Sequence, residues 1–302
     1  MNLKEEIIKD FKGIIKNRTI ELKFLKKISK SKVYISKNTG MVFHGDIKSS
    51  KFAADYWSKE IFSNETIGSK NKFTSNTPFF GARHYYAINF LKKINIKNKT
   101  ICDFGAGEGN LILKLSNYFN HKKLIAIEPS KKNCLLIKKN FNQNKKKIPL
   151  VINSTIENSI HKSKKKCDIA VLTWTLCNCS KPLDIIKSIY NLLNKDGYLL
   201  IGESSRILVP YKKPIFNYFN SKQYTGFSHP WHFSYNSLCN LLILNNFKIR
   251  YVNKFYNEDN LFIIAQKKKS FKKKFKKDNV KKIKLFFKNW LKESKNFKHF
   301  ID

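Results

Sequence analysis

The chain has 302 residues, of which 42% are hydrophobic, and a formal charge of +39 from 60 basic and 21 acidic residues. This length and apolar content suit one large domain with additions and support a real core. No run approaches the roughly 18 apolar residues of a membrane span, and the charged N-terminus lacks the apolar stretch of a signal peptide. Six cysteines without a CxxC pair indicate reduced, buried thiols and a cytoplasmic protein.

The positive charge comes almost entirely from lysine. The only arginines are Arg18, Arg83, Arg206 and Arg250, although arginine is the residue that best suits bidentate phosphate contacts. The chain is also rich in Asn, Ile and Phe, which together with lysine indicates an AT-rich coding sequence. We therefore interpret the charge as mainly compositional, and nucleic-acid binding stays an alternative.

The first 75 residues predict a small addition. Residues 3–29 place apolar side chains at helical spacing, which predicts an amphipathic helix. Residues 31–43 (SKVYISKNTGMVF) predict a short hairpin that turns at Asn38–Gly40. A helix is predicted at about 82–93, after the turn at Thr77–Pro78.

From residue 99 the pattern becomes regular. Short apolar strands (KTICDF, KLIAIE, IPLVIN, CDIAVLTW, GYLLIGES) alternate with amphipathic helices. After a long connection at 204–230, a helix at 235–245 leads to two further strands, FKIRYVNKFY and NLFIIAQK. The sequence therefore predicts a Rossmann-like α/β domain over 76–268, with a seven-stranded, mostly parallel sheet, helices on both faces and an antiparallel last strand. Residues 269–302 form a basic tail.

The segment TICDFGAGEGN leaves the first of these strands. Gly105, Gly107 and Gly109 permit tight turning and close approach of a ligand to the backbone. The dinucleotide fingerprint GxGxxG fails, because Asn110 occupies its last position. Ligands of such sheets bind beyond the carboxyl ends of the strands, where this loop lies.

Carboxylates surround the loop. Asp103 precedes it, Glu108 lies inside it, and Glu128 ends the next strand. A pyrophosphate needs a helix N-terminus without negative charge. A ligand with an ammonium and a sulfonium is attracted instead, and Glu128 is placed to accept both hydroxyls of a ribose. These features favour S-adenosylmethionine over a dinucleotide.

On these residues the chain resembles the class I S-adenosylmethionine-dependent methyltransferases: DFGAGEG is similar to their first motif and AIEPS to their second. The resemblance implies that Asp103 and the loop backbone hold the methionine part, and that Glu128 holds the ribose. It further implies adenine contacts after the third strand and residues bracketing cofactor and substrate after the fourth. The implied cofactor-binding residues are Asp103, Gly105, Ala106, Gly107, Gly109, Glu128, Ser154, Thr155, Thr173 and Trp174.

The hairpin sequence YISKNTGMVF resembles the zinc-knuckle end of a methyltransferase subgroup that acts on sugars and natural products. Ser36 and Thr39 stand where that subgroup has the cysteines of CxxCG. A hydroxyl is a poor zinc ligand beside a thiolate. Either the module persists without metal or the likeness is chance, and both alternatives predict no metal.

The acceptor site is predicted in the aromatic connection after the fifth strand. The segment HPWHFS resembles an element of small-molecule methyltransferases and contains His229 and His232, which are candidate proton acceptors. The alternative is that its aromatic residues pack the loop and Ser234 caps the next helix. Arg83, His84 and Tyr85 also lie where they can face the site, with packing favoured for the two aromatic residues.

The leading function is methylation of a small molecule, with a sugar or sugar-nucleotide as acceptor. An RNA methyltransferase is the first alternative, although the fourth strand ends in TWTLCN rather than a [DN]PP[YF] tetrad. A cofactor-binding subunit without activity is the second. The tail places Ile283, Phe286, Phe287, Trp290 and Leu291 at helical spacing. Docking of this face on the domain is favoured over contact with an anionic membrane surface or RNA.

Overall fold

The architecture is taken from a computed structural model of the chain. The structure describes residues 2–23, 32–49, 51, 52, 55, 78–162, 166–203, 230–254 and 261–294. Two β-sheets and the helices around them make up this part of the chain. None of its helices is long and apolar enough to cross a membrane.

The central sheet has seven strands in the order β10-β11-β8-β7-β4-β5-β6. Strand β11 pairs antiparallel with both β8 and β10, and the other pairings are parallel. The predicted fold class is therefore confirmed, including the antiparallel last strand. The strands of this sheet are β4 (Lys99–Phe104), β5 (His121–Glu128), β6 (Leu150–Asn153), β7 (Cys167–Thr173), β8 (Leu193–Glu203), β10 (Phe247–Val252) and β11 (Leu261–Lys267).

Helices cover both faces of the central sheet, because its strands are apolar on both sides. One buried cluster includes Ile125, Leu172 and Leu199, and the other includes Ile101, Ala126 and Val171. The described helices are α1 (Leu3–Phe11), α2 (Pro78–Leu91), α3 (Asn110–Tyr118), α4 (Lys131–Gln143), α5 (Ile156–Lys162), α6 (Pro182–Leu192), α7 (Tyr235–Leu244) and α8 (Val280–Ser294).

The N-terminal segment forms a second sheet with a strand from the far end of the domain. Its strands are β1 (Thr19–Glu21), β2 (Val33–Ser36), β3 (Val42–His44) and β9 (Trp231–His232), in the order β1-β2-β3-β9. The predicted hairpin is therefore present, with Ile35 and Phe43 fully buried. Through β9, this sheet is joined to the segment for which the acceptor site was predicted.

The predicted helix over 3–29 is wrong in its length. Helix α1 ends at Phe11, and strand β1 begins at Thr19. The chain turns between them, with Gly13 at φ 68° and Asn17 at φ 60°, a left-handed conformation that a helix cannot include. Apolar residues at helical spacing continue past the end of α1, and for this reason the predicted helix was too long.

The basic tail packs on the domain. The backbone N–H of Asp278 donates to the Thr39 carbonyl at 2.8 Å, and the side chain of Asn236 donates to the Asp278 carboxylate at 2.8 Å. Ile283 and Phe287 of α8 are 6% and 2% exposed. The structure therefore shows the tail docked on the domain, which is the alternative that the sequence favoured. The proposed division at residues 75 and 268 stays a prediction.

Candidate functional site

The glycine loop leaves the carboxyl end of β4 and bends toward β5. The backbone N–H groups of Gly105 and Ala106 both donate to the Ile127 carbonyl, at 2.8 and 3.1 Å. Gly105, Gly107 and Gly109 have φ values of 73°, 54° and 84°. These left-handed values explain the glycines, since other residues adopt this region at a cost. The loop is thereby fixed at the edge where ligands of such sheets bind.

Glu128 ends β5 and is hydrogen-bonded to the loop. Its Oε2 accepts from the Gly107 N–H at 2.9 Å, and its Oε1 accepts from the Ser130 N–H at 2.9 Å. Burial raises the pKa of this carboxyl, and the two backbone N–H donors oppose the increase. Oε1 also accepts from the Asn133 side chain at 3.3 Å, so Oε2 is the oxygen with a lone-pair position left for a ligand hydroxyl.

Asp103 is 2% exposed at the end of β4. Burial, and secondly the negative charge of Glu128, raise its pKa to about 7. A buried carboxylate without a cationic partner is unfavourable. A ligand with a positive charge would supply the missing partner and return Asp103 to its ionised form.

The middle of the loop has room for a ligand. A Cβ added at Gly107 would have no atom within 4 Å, whereas one at Gly105 would lie 2.6 Å from the side chain of Thr175. The first glycine is thus needed for packing within the protein, and the second borders open space. An open backbone with carboxylates beside it fits a cationic ligand such as S-adenosylmethionine.

The predicted adenine contacts follow β6. Ser154 is 6% exposed, and its Oγ is buried without a hydrogen-bond partner in the described part of the chain. Its backbone N–H donates to the Glu128 carbonyl at 3.2 Å, which places it beside the second motif. Thr155 Oγ1 instead accepts from the Asn158 N–H at 3.4 Å, at the start of α5. A buried hydroxyl normally has a partner, and the adenine contacts of Ser154 and Thr155 stay a prediction.

Thr173 and Trp174 follow β7 at the same edge. The Trp174 N–H donates to the Gly202 carbonyl at 2.7 Å, and Trp174 has φ 52°. A bulky residue in this conformation is an outlier, and such strain is concentrated at functional sites. The turn that follows is held by Glu203, whose Oε1 accepts from the Leu176 N–H at 2.8 Å.

The two predicted catalytic histidines have different outcomes. His229 lies outside the described residues. His232 is 4% exposed, and its Nε2 lies 2.9 Å from Nε2 of His44, which places it in the second sheet. The neighbouring Trp231 Nε1 donates to the Cys179 carbonyl at 2.7 Å, just after the turn that follows Trp174. The catalytic role of His232 stays a prediction.

The hairpin positions that resembled a zinc knuckle are buried. Ser36 and Thr39 are 0% and 5% exposed, and the Thr39 hydroxyl donates to the carboxylate of Asp10. In the described part of the chain, no group of three or more His, Cys, Asp or Glu side chains is placed to hold a metal ion. The Thr39 hydroxyl instead forms a hydrogen bond that links the hairpin to α1.

Sequence reasoning missed two residues. Glu203 ends an apolar strand at the same edge as Asp103 and Glu128, a signal that was present in GYLLIGES. His44 pairs with His232 across 188 positions of sequence, and no local pattern reveals such a contact.

Solved structures with the same fold include two that cover most of the chain. Magnesium protoporphyrin IX methyltransferase (ChlM) from Synechocystis PCC 6803 with bound SAM is 11% identical, covers 74% of this chain and 99% of its own, and has a TM-score of 0.52. The [4+2]-cyclase SpnF is 12% identical, covers 73% of this chain and 97% of its own, and has a TM-score of 0.55. At such identities the likeness shows the fold alone.

The sequence itself gives the family. None of the curated proteins compared with the chain matches it. The family described as "Methyltransferase domain" matches residues 82–252, which is more than half of the chain and includes the glycine loop, Glu128 and Trp174. The chain therefore belongs to this methyltransferase family, and it is an enzyme whose cofactor is S-adenosyl-L-methionine.

Proposed function

We propose that the enzyme methylates a small molecule, with a sugar or sugar-nucleotide as the first acceptors to examine. The observation that carries the proposal is the open space at Gly107 beside the buried carboxylates of Asp103 and Glu128. When bound there, S-adenosylmethionine supplies an electrophilic methyl group on a sulfonium. The protein has to bind the acceptor, orient it and exclude water, and such positioning gives much of the rate enhancement.

The residues that hold the cofactor in this proposal line one edge of the sheet. Asp103 and the Gly105–Gly109 backbone hold the methionine part, and Glu128 accepts from the ribose hydroxyls. Ser154 offers its buried hydroxyl to the adenine, with Thr155 beside it. Thr173 and Trp174 separate the cofactor from the acceptor.

The nature of the acceptor is the main alternative. RNA would be attracted by the charge of +39. However, arginine, the better phosphate ligand, is present only four times, and the fourth strand ends in TWTLCN rather than a [DN]PP[YF] tetrad. A small molecule is therefore the favoured acceptor.

Labelled S-adenosylmethionine tests the proposal directly. The protein is incubated with a metabolite extract and, separately, with total RNA, and the label is followed into each fraction. We expect label in small molecules and none in RNA, with Gly107→Val as the inactive control. Label in RNA alone would show that the acceptor is RNA rather than a small molecule. Label in neither fraction, despite cofactor binding, would favour a cofactor-binding subunit.

A proton acceptor is needed if the methyl group goes to a hydroxyl or carbon. His232 and His229 remain the proposed residues. His232 Nε2 lies 2.9 Å from His44 Nε2, so the two imidazoles would act as a pair. We expect His232→Asn to lower turnover roughly 100-fold with the affinity for S-adenosylhomocysteine kept. Equal turnover of His232→Asn and wild type would show that His44 and His232 contribute to packing only.

The N-terminal hairpin is proposed to be a knuckle-like module that is held without metal. Thr39 is hydrogen-bonded to Asp10 where the resembling subgroup has a zinc thiolate. Elemental analysis of the purified protein should therefore find no stoichiometric zinc. About one zinc per chain would show that the module has been misread.

A further inference from the structure

A cluster of three side chains lies beside the glycine loop without belonging to it. Arg83 and His84 come from α2, and Trp174 comes from the turn after β7. The Arg83 Cζ lies 5.2 Å from the centroid of the Trp174 ring, and the His84 ring lies 6.1 Å from it. We call these three residues the Arg–His–Trp cluster.

Two polar atoms of this cluster are buried without hydrogen-bond partners in the described part of the chain. They are His84 Nδ1 and Trp174 Nε1, and the His84 side chain is only 9% exposed. Buried polar groups nearly always have partners, supplied by protein, water or ligand. Because two such atoms lie on adjacent rings, one bound molecule can satisfy both.

The charges around the cluster indicate the chemistry of that molecule. Burial, and secondly the positive charges of Lys114 and Arg83, lower the pKa of His84 to about 4. The imidazole is therefore neutral at neutral pH. Its surroundings hold two cations and the indole N–H donor, which together favour an oxyanion.

The cluster also has the right position for an acceptor. Trp174 is joined to β8 through the Gly202 carbonyl, and the next residue, Thr175, lies directly against the position of Gly105. The Trp174 and Phe262 rings pack at nearly a right angle with their centroids 5.8 Å apart, so the orientation of Trp174 is fixed by the core. The cluster thus borders the start of the loop that holds the methyl donor.

We propose that the Arg–His–Trp cluster binds an oxyanion of the methyl acceptor, so that the substrate is a small molecule with a carboxylate or phosphate group. This inference rests on the proposed function and narrows its substrate class. Arg83 supplies the charge, while Trp174 Nε1 and His84 Nδ1 donate to the oxyanion in the tautomer that carries the proton on Nδ1.

Nuclear magnetic resonance on the full chain, saturated with S-adenosylhomocysteine, tests the inference without turnover. Inorganic phosphate and acetate are added in separate titrations, and His84→Gln and Trp174→Phe identify the two ring signals. We expect the indole N–H signal to shift and the pKa of His84 to rise by about one unit or more, since a bound anion favours the imidazolium. A response to phosphate alone indicates a phosphate ester, and a response to acetate indicates a carboxylate.

Matched variants separate local binding from general charge. Arg83→Gln and Lys92→Gln each remove one positive charge from the region of α2, but Lys92 is exposed and lies beyond the end of the helix. Trp174→Phe keeps an aromatic ring and removes only the N–H donor. We expect Arg83→Gln to weaken probe binding roughly tenfold or more, Trp174→Phe to weaken it less, and Lys92→Gln and Tyr85→Phe to leave it unchanged.

Two results would overturn the inference. One is that neither probe shifts either signal while S-adenosylhomocysteine binds normally, which would assign the two atoms to bound water. The other is that Arg83→Gln and Lys92→Gln weaken binding equally, which would make the effect nonspecific. If S-adenosylhomocysteine does not bind at all, the proposed function fails instead.

Discussion

Two pairs of buried carboxylates in this protein have opposite surroundings. Glu6 and Asp10 of α1 meet Arg18, whose Nη2 lies 2.7 Å from Glu6 Oε2 and 3.1 Å from Asp10 Oδ1. The hydrogen bond from Arg18 is the largest influence that lowers the pKa of Glu6 to about 2. For Asp103, burial and secondly the negative charge of Glu128 instead raise the pKa to about 7.

The difference indicates that the first pair stabilises the fold and that the second pair is suited to binding a ligand. The first pair has its compensating charge within the chain, so it holds α1 against the hairpin. Even there, burial raises the pKa of Asp10, with the Thr39 hydroxyl as the main opposing influence. In the second pair Glu128 accepts hydrogen bonds from neighbouring residues, but no cation lowers the pKa of either carboxyl. A ligand would supply that charge, and perturbed carboxyl groups of this kind are typical of binding sites.

The largest effect on ligand binding is expected at Gly107, which borders the open space and donates its N–H to Glu128 of the second pair. Gly107→Val places a branched side chain in the open space, so we expect the affinity for S-adenosylmethionine to fall roughly 100-fold or more, or ~2.7 kcal/mol. The φ of 54° adds strain of about 1–2 kcal/mol to the folded state. Calorimetry measures the affinity, and circular dichroism checks the fold.

Gly105→Ala is the matched control for that variant. Its Cβ would lie 2.6 Å from Thr175, within the protein. We therefore expect a lower melting temperature as its main effect, whereas Gly107→Val loses the ligand. Wild-type affinity in Gly107→Val would contradict the placement of the cofactor.

The second prediction removes the compensating charge of the first pair. Arg18→Gln removes the cation that both buried carboxylates share and leaves only Lys9 beside Glu6, which should lower the free energy of unfolding by about 3–5 kcal/mol. Urea denaturation measures it. Arg250→Gln removes the same charge from an exposed position of β10 and should change stability by less than about 0.5 kcal/mol.

The pH dependence of Arg18→Gln gives an independent check. Because the pKa of folded Glu6 lies near 2, below the ordinary 4.5, its stabilising contribution is present above pH 4.5 and is lost as the pH falls toward 2. The wild type and the variant should therefore differ most near neutral pH and converge in acid. A difference that does not depend on pH would show that Arg18 acts through packing.

Sequence reasoning gave the sheet and the second pair because both depend on local patterns. The strands are continuous apolar runs, and Asp103 and Glu128 directly end two of them. The first pair could not be predicted in the same way. Arg18 meets Glu6 only because the chain turns back after Phe11, and Thr39 meets Asp10 across 29 positions. The contact of His44 with His232 depends likewise on tertiary pairing of β3 with β9.

A further carboxylate, the half-buried Asp278, is an intermediate case and tests the tail. It accepts hydrogen bonds from Ser234 and Asn236, and burial raises its pKa. We expect deletion of 270–302 to lower the melting temperature in a salt-resistant way, with cofactor affinity kept. Phe287→Ala should reproduce much of this loss, at about 3 kcal/mol, because Phe287 is 2% exposed.

Leu285→Ala is the control for the tail, since Leu285 is 57% exposed on the same helix. It should be nearly neutral. The docking interpretation would be contradicted if the deletion left the melting temperature unchanged and removed a salt-sensitive binding to anionic vesicles or RNA. The tail would then be an interaction segment.

The smallest effect, and the one of opposite sign, is expected from Asp103→Asn. Since the pKa of folded Asp103 lies above that of the unfolded chain, the ligand-free wild type loses stability as the pH rises from about 4 through about 7. At pH 8 the variant should therefore be more stable than the wild type, by about 1–2 kcal/mol, because the buried amide cancels part of the gain. At pH 4 the difference should vanish, and at every pH the variant should bind S-adenosylmethionine more weakly.

Asp184→Asn, at an exposed position of α6, is the control and should show neither effect. A variant that is less stable than the wild type at pH 8 would mean that Asp103, like Glu6, is already compensated within the chain.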